Sequence, residues 1–271
     1  MHLAIRHTTR YRFEQPVKHA LQRLRLTPKE TQGQQILEWD MEFENAGREL
    51  SYEDQNHNTV TLVSVDEGAQ DVAITCKGRV DTKDYAGVIG RHAGHIPLWS
   101  FLNQTKLTRP GEGVRALLDK VEPAEGGVLD MLHALSAATL EHVEYRTGTT
   151  LVTTTAEEAI EGGCGVCQDH AHIFISAARS RGIPARYVSG YLMMNDRVDQ
   201  DATHAWAEAF VEGLGWVGFD ISNGISPDER YVRVATGFDY DGAAPVTGIS
   251  FGSTTEELKV DVAVEQQTAE Q

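Results

Sequence analysis

Cysteine is scarce in this chain: there are three in 271 residues, too few for a disulfide framework and unable all to pair with one another. Long apolar runs are missing too, and none approaches the ~20 residues that a membrane-spanning helix needs. Basic charge is in deficit, with 24 Lys and Arg against 40 Asp and Glu and a formal net charge of −16. That balance argues against a general nucleic-acid or anionic-membrane binder, which the global field would repel, and no basic cluster offsets it. The opening residues Met1-His2-Leu3-Ala4-Ile5-Arg6-His7 lack a basic segment followed by an apolar one. No signal peptide is therefore expected, and a cytoplasmic location is the default expectation.

What is present suits an ordered globular chain, long enough to bury a core without staples. Residues 1–90 read as a β-rich domain. Leu21–Leu26, Leu37–Phe43, Val60–Val65 and Val72–Val80 alternate apolar and polar residues, and Asn45-Ala46-Gly47 and Asp54–Asn58 supply turns between them. An antiparallel sandwich without evident chemistry is expected there, with Cys76 in a strand as packing. Residues 91–111 form a Gly-, His- and Pro-containing linker in which His92 and His95 are expected to be solvated. A core over 112–265 opens with helices at Val114–Leu118 and Val128–His142, and Thr155 N-caps a third. Strands follow at Ala185–Leu192, Thr203–Val211 and Trp216–Asp220, a last strand at Leu258–Val264, and a frayed tail at 266–271. The fold class is α+β.

The segment Gly162-Gly163-Cys164-Gly165-Val166-Cys167-Gln168-Asp169-His170-Ala171-His172 carries the strongest chemical signal. A helix starting at Cys167 places Cys167, Ala171, Phe174 and Ala178 on one stripe and Asp169, His172, Ser176, Arg179 and Ser180 on the other, wet side. A thiol at the positive end of a helix has its thiolate stabilised by unpaired N–H groups, and those donors can later hold an oxyanion. A base is available downstream: in Thr203–Phe210 the period of two puts His204, Trp206, Glu208 and Phe210 on one face and three alanines on the other. The next strand ends at Asp220. Hairpin arithmetic puts His204 roughly opposite 223, so joining it to Asp220 calls for a diagonal contact or a bulge.

These segments, followed in order by Arg181-Gly182-Ile183-Pro184-Ala185-Arg186-Tyr187-Val188-Ser189-Gly190-Tyr191, His204-Ala205-Trp206-Ala207-Glu208 and Gly215-Trp216-Val217-Gly218-Phe219-Asp220, resemble the successive motifs of the bacterial transglutaminase-like, papain-related cysteine protease family. The β-rich start and Gly237-Phe238-Asp239-Tyr240 extend the resemblance over nearly the whole chain. It implies an N-terminal antiparallel β-sandwich followed by a papain-like transglutaminase core, with the cysteine helix packed on an antiparallel sheet. It also implies a Cys167 nucleophile, a His204 general base and acid and an orienting Asp220, acting on peptide or protein amides through a thioester, without a cofactor or metal. Hydrolysis is expected over crosslinking. Gln168, His170 and Trp206 are supporting candidates, and Gln168, Trp99 or a residue near Tyr145 could supply the second oxyanion donor. The chain departs from the family at Phe238, where an arginine is expected, and at Cys164, which could form a disulfide with Cys167 on oxidation.

Plainer alternatives stand beside this one. Cys164-x-x-Cys167 could bind zinc, but His170 and His172 lie about 160° apart on a helix and do not join one tetrahedral site easily. Cys167 could be a buried core thiol, His170 and His172 structural, and Trp206, Trp216 and Phe210 core or cleft wall. A catalytically silent peptide-binding module and a crosslinking transglutaminase both remain open, as does the oligomeric state.

Overall fold

A computed structural model describes residues 1–121, 126–251 and 256–267. The first six strands are β1 (His2–Phe13), β2 (His19–Leu24), β3 (Gln34–Glu44), β4 (Ala46–Glu53), β5 (Thr59–Val65) and β6 (Asp71–Thr82). Alternation decides their orientation: β2 buries every second side chain, as a strand with one wet face must. Asn45 and His57 adopt left-handed backbone angles at the two turns read from sequence. Next come β7 (Val88–Gly90), a 3-10 turn (Leu98–Leu102), α1 (Glu112–Lys120), α2 (Val128–His142), β8 (Glu144–Tyr145), α3 (Ala156–Gly162), β9 (Cys164–Gly165) and α4 (Cys167–Ser180). The chain then runs through β10 (Ala185–Leu192), β11 (Asp199–Gln200), β12 (His204–Val211), β13 (Gly215–Phe219), β14 (Tyr231–Gly237), α5 (Tyr240–Ala243), β15 (Val246–Phe251) and β16 (Glu256–Gln266). Among the described residues no helix is long and apolar enough to cross a membrane.

Two sheets, ordered β11-β16-β1-β6-β3 and β15-β2-β5-β4, enclose a core that includes Phe13, Leu24, Val63, Ile74 and Cys76. A third, ordered β14-β10-β12-β13-β7, carries the helices. The boundaries expected from sequence shift at this point. β15 and β16 leave the 112–265 region and complete the two N-terminal sheets, β16 running antiparallel along β1 from Leu3↔Gln266 to Phe13↔Glu256. Pairing β1 on its second side removes an exposed edge and buries Val262 and Val264. Gln266 is therefore strand, and the Gln267 N–H donates to His2 O at 2.9 Å; of the tail expected to fray, 268–271 lie outside the described residues. Conversely β7, from the N-terminal stretch, edges the core sheet against β13. The 91–111 connection is packed, not free. Phe101 is 2% exposed, its ring 4.9 Å from that of Phe238 and 5.2 Å from that of Trp216. His92, expected to be solvated, accepts from Trp216 Nε1 at 3.1 Å.

Helix α4 lies against β10 and β12 and is flanked by α1, α2 and α3. Ala205, Ala207 and Ala209, all buried, form the row of β12 on which it rides, small enough for close approach. The wet face expected for α4 shrinks to its last residue: residues 168–179 are all buried and Ser180 alone is exposed. Several of its polar side chains turn inward onto specific partners, although the Ser176 hydroxyl is buried without one. Arg179 donates to the carbonyls of Ala185 and Phe238 and to the Thr108 hydroxyl, and His172 accepts the Tyr240 N–H at 3.1 Å.

Candidate active site

The helix start that carries Cys167 is fixed by the residues around it. The Asp169 carboxylate turns back to accept the Val166 N–H at 2.8 Å, closing the first turn where a negative group is favoured. Gly165 makes room for it, since a Cβ there would lie 2.8 Å from the Asp169 side chain. Ahead of the helix, β9 pairs in parallel with β8, matching Glu144 with Cys164 and Tyr145 with Gly165. Cys167 thus sits half-buried at a rigid helix N-terminus.

His204 opens β12 opposite Gly190 of β10. At Gly190 a Cβ would drive into the Val232 carbonyl and lie 2.6 Å from the Trp206 ring, so glycine is required where Trp206 folds beneath His204. The His204 and Trp206 rings stack with centroids 6.2 Å apart, and Tyr231 meets Trp206 edge-on at 5.5 Å. On the next strand the register Ala207↔Phe219 to Val211↔Gly215 ends at Phe219, and Asp220 bridges to Ile225. The ladder breaks here and the carboxylate swings back to His204, which answers the register problem posed by the sequence without a bulge between β12 and β13.

The three residues meet. His204 Nε2 donates to Asp220 Oδ2 at 2.6 Å, and the Cys167 side chain hydrogen-bonds the same imidazole. With Nε2 taken, Nδ1 is the ring nitrogen left to face sulfur. Asp220 is fully buried and receives two further donors at the same oxygen, Tyr231 Oη at 2.7 Å and Asn223 Nδ2 at 2.6 Å, while the Asn223 N–H reaches Oδ1 at 3.2 Å. Burial works against ionising Asp220, but His204 and these donors hold its carboxyl below the usual carboxylate range. Burial likewise works against charging His204. Asp220 and then Cys167 outweigh it, pulling the imidazole up to about 10, so it holds its proton at neutral pH.

The supporting candidates take different places. The Gln168 side-chain amide donates to Val152 O at 2.9 Å, so it anchors a loop. His170 Nε2 donates to Val143 O at 2.9 Å, leaving Nδ1 to accept from Ser222 Oγ at 2.8 Å. Burial lowers its pKa, making it a neutral tie between α4, the end of α2 and the turn after β13. Trp206 is 2% exposed and forms the floor under His204. Of the residues considered for the second oxyanion donor, Tyr145 lies near the thiol. Burial and the charge of Cys167 raise its phenol, Arg197 opposes them, and Asp220 adds to the rise. Phe238, standing where an arginine was expected, packs its ring on Phe101.

Sequence reasoning missed Tyr231 and Asn223, which lie beyond the motif that ends at Asp220. It also missed the group around Glu208. That fully buried carboxylate accepts from Arg186 Nε at 2.6 Å and from Arg233 Nε at 2.6 Å, and the Arg186 guanidinium lies 3.8 Å from the Trp216 ring centroid. Lys29, from the segment between β2 and β3, donates to the carbonyls of Asn56 and His57 at 2.8 and 2.6 Å. Burial, Arg233 and Arg186 push its pKa down to about 6. A signal was available: a glutamate on the buried face of a strand requires a cation, and Arg186 stands opposite it in the register.

Comparison with known proteins agrees with this architecture. Residues 115–221 match the Transglutaminase-like superfamily and residues 3–81 the Bacterial transglutaminase-like N-terminal region. An uncharacterized protein of Mycobacterium leprae is 29% identical over 276 residues, covering 95% of this chain and 96% of its own. One of Mycobacterium tuberculosis is 26% identical over 286 residues, covering 96% and 91%. Among solved structures, a "putative cysteine protease" from Cytophaga hutchinsonii superposes with a TM-score of 0.78 at 22% identity, covering 99% of this chain and 92% of that one. At that identity the likeness is one of fold.

Proposed function

Because the chain carries a transglutaminase-like core behind a bacterial transglutaminase-like N-terminal region, we propose that it is a thiol-dependent acyl-transfer enzyme acting on amide bonds of peptides or proteins. The observation that carries this is the continuous hydrogen-bonded row from Cys167 through His204 to Asp220 at the N-terminus of α4. A nucleophile, an acid–base group and an orienting carboxylate in contact are what amide acyl transfer requires.

The Cys167 thiolate attacks the amide carbonyl, and the His204 imidazolium gives its proton to the leaving amine. Water, deprotonated by the now neutral imidazole, then attacks the thioester and releases Cys167. Asp220 stabilises the imidazolium at both stages, and the unpaired N–H groups of the first turn of α4 face the developing oxyanion. An amine in place of water would give transamidation. Hydrolysis is the preferred outcome, because water is always present and no acceptor groove for lysine is evident in the sequence. The substrate is a peptide or protein amide.

The test is a screen of peptide amides with the wild type and Cys167→Ala, reading hydrolysis and amine incorporation in one assay. Turnover in the wild type and none in the variant is expected; equal turnover in both would sink the mechanism.

A further inference from the structure

The loop between β8 and α3 wraps around the start of the cysteine helix and is tied to it at three points. The Arg146 N–H donates to Gly165 O at 2.7 Å, the Thr150 hydroxyl to Asp169 Oδ2 at 2.6 Å, and Val152 O accepts from Gln168 Nε2 at 2.9 Å. Its far end is closed by Thr155, whose side chain and Glu158 form a reciprocal cap on α3. A segment held this firmly would be expected to bury its apolar side chains, and it does the opposite. Leu151 is 73% and Val152 56% exposed, at the point where the two residues directly after Cys167 grip the loop. Tyr145, at the loop's start, is 48% exposed, and its ring centroid lies 6.1 Å from that of His170. Leaving Leu- and Val-sized surface in water forgoes stabilisation that burial would supply. Fixed exposed apolar groups beside a reactive centre mark a surface that a ligand covers.

We propose that Tyr145, Leu151 and Val152 form the apolar lip of the acyl-side subsite, so that the enzyme selects amides whose carbonyl is flanked by a large apolar side chain such as that of phenylalanine or leucine. This rests on Cys167 being the nucleophile. The occupant is the substrate itself, because the lip is continuous with the thiol's own helix turn. Gln168 and Asp169 are then positioning residues that hold the loop, and neither touches the reacting atoms.

The experiment compares two reagents that alkylate thiols and differ only in the flanking side chain, the chloromethyl ketones of acetyl-phenylalanine and acetyl-glycine. Labelling of Cys167 is followed by peptide mapping in the wild type and in a Leu151→Ser/Val152→Ser variant, whose exposed sites tolerate the change. The wild type should label about tenfold or more faster with the phenylalanine reagent, the fold-change expected from covering one such side chain. In the variant that preference, read as the ratio of the two labelling rates, should fall towards unity. No preference in the wild type, or the same preference in the variant, overturns the subsite and leaves the nucleophile standing. Failure of both reagents to label Cys167 in the wild type overturns the nucleophile and the subsite with it.

Discussion

His204 and Glu208 lie four residues apart on β12, and each belongs to a buried charged group, yet the two groups are built to opposite ends. Both oxygens of Glu208 are taken, by Arg186 and Arg233, and Trp216 covers one of the cations. Each carboxylate oxygen and both guanidiniums there have a fixed partner, and no thiol joins them. Around His204 the carboxylate side is equally well satisfied, but the imidazole's other side meets Cys167, which is only half-buried. A saturated ion group ties neighbouring strands of one sheet together; one that ends on a thiol is equipped for proton transfer. The same strand thus carries a glutamate held between two guanidiniums and, two pleats away, a histidine that meets a thiol.

The largest effect that separates the two should come from Asp220→Asn. Loss of the carboxylate removes the main support for the imidazolium, and kcat for amide turnover is expected to fall by about 10²–10⁴. The His204 limb of the pH–rate profile should move down from about 10, because burial then dominates. Retention of the wild-type profile would contradict the assignment. Glu208→Gln should show the opposite split. Stripping the anion from between two buried guanidiniums is expected to cost about 3–5 kcal/mol in urea unfolding, while alkylation of Cys167 per folded molecule is unchanged. A variant that kept its stability and lost thiol reactivity would reverse these roles.

The two groups also predict opposite pH slopes for stability. His204 has a folded pKa raised from 6.5 to about 10, so its contribution is complete below 6.5 and lost as pH rises through 10. Asp220, lowered from 3.8, contributes above 3.8 and loses that contribution as pH falls through its folded value. Lys29 runs the other way: lowered from 10.5 to about 6, it binds its proton more readily in the unfolded chain, so stability rises with pH between those values. Urea midpoints between pH 6 and 10 should therefore fall more steeply with pH in Lys29→Met than in the wild type. Parallel curves would show that Lys29 does not titrate in this way. The smallest effect expected is that of Thr150→Val, which deletes one hydrogen bond to Asp169 at a cost of about 1 kcal/mol in urea unfolding.

Much of this contrast could be anticipated from the order of residues. The cap at Thr155, the helix starting at Cys167 and the strand that opens at His204 follow from local spacing, and the structure has each, whereas β13 stops at Phe219, one residue short of the expected Asp220. What local patterns do not encode is the partner. The alternation over 258–264 announces a strand but not that it pairs with β1, more than 240 residues earlier. The periodicity of α4 suggested a wet side because polar residues recur there, whereas Arg179, His172 and Asp169 each face a specific internal acceptor or donor. The ion group at Glu208 depends on Arg233, which only the folded sheet brings near. At the site itself, motif spacing singled out Cys167, His204 and Asp220, which the fold brings together, while Tyr231 and Asn223 come from a turn whose path sequence spacing does not give.

The central claim is that Cys167, His204 and Asp220 act as one acyl-transfer unit, and the most direct measurement is the intact mass and peptide map of protein mixed with p-nitrophenyl acetate. One acetyl group carried on Cys167 in the wild type, absent from Cys167→Ala and much slower to appear in His204→Ala and Asp220→Asn, is the predicted result. Acetylation confined to Cys164 or to lysines, or equal acetylation of Cys167 in the wild type and in His204→Ala, would contradict it.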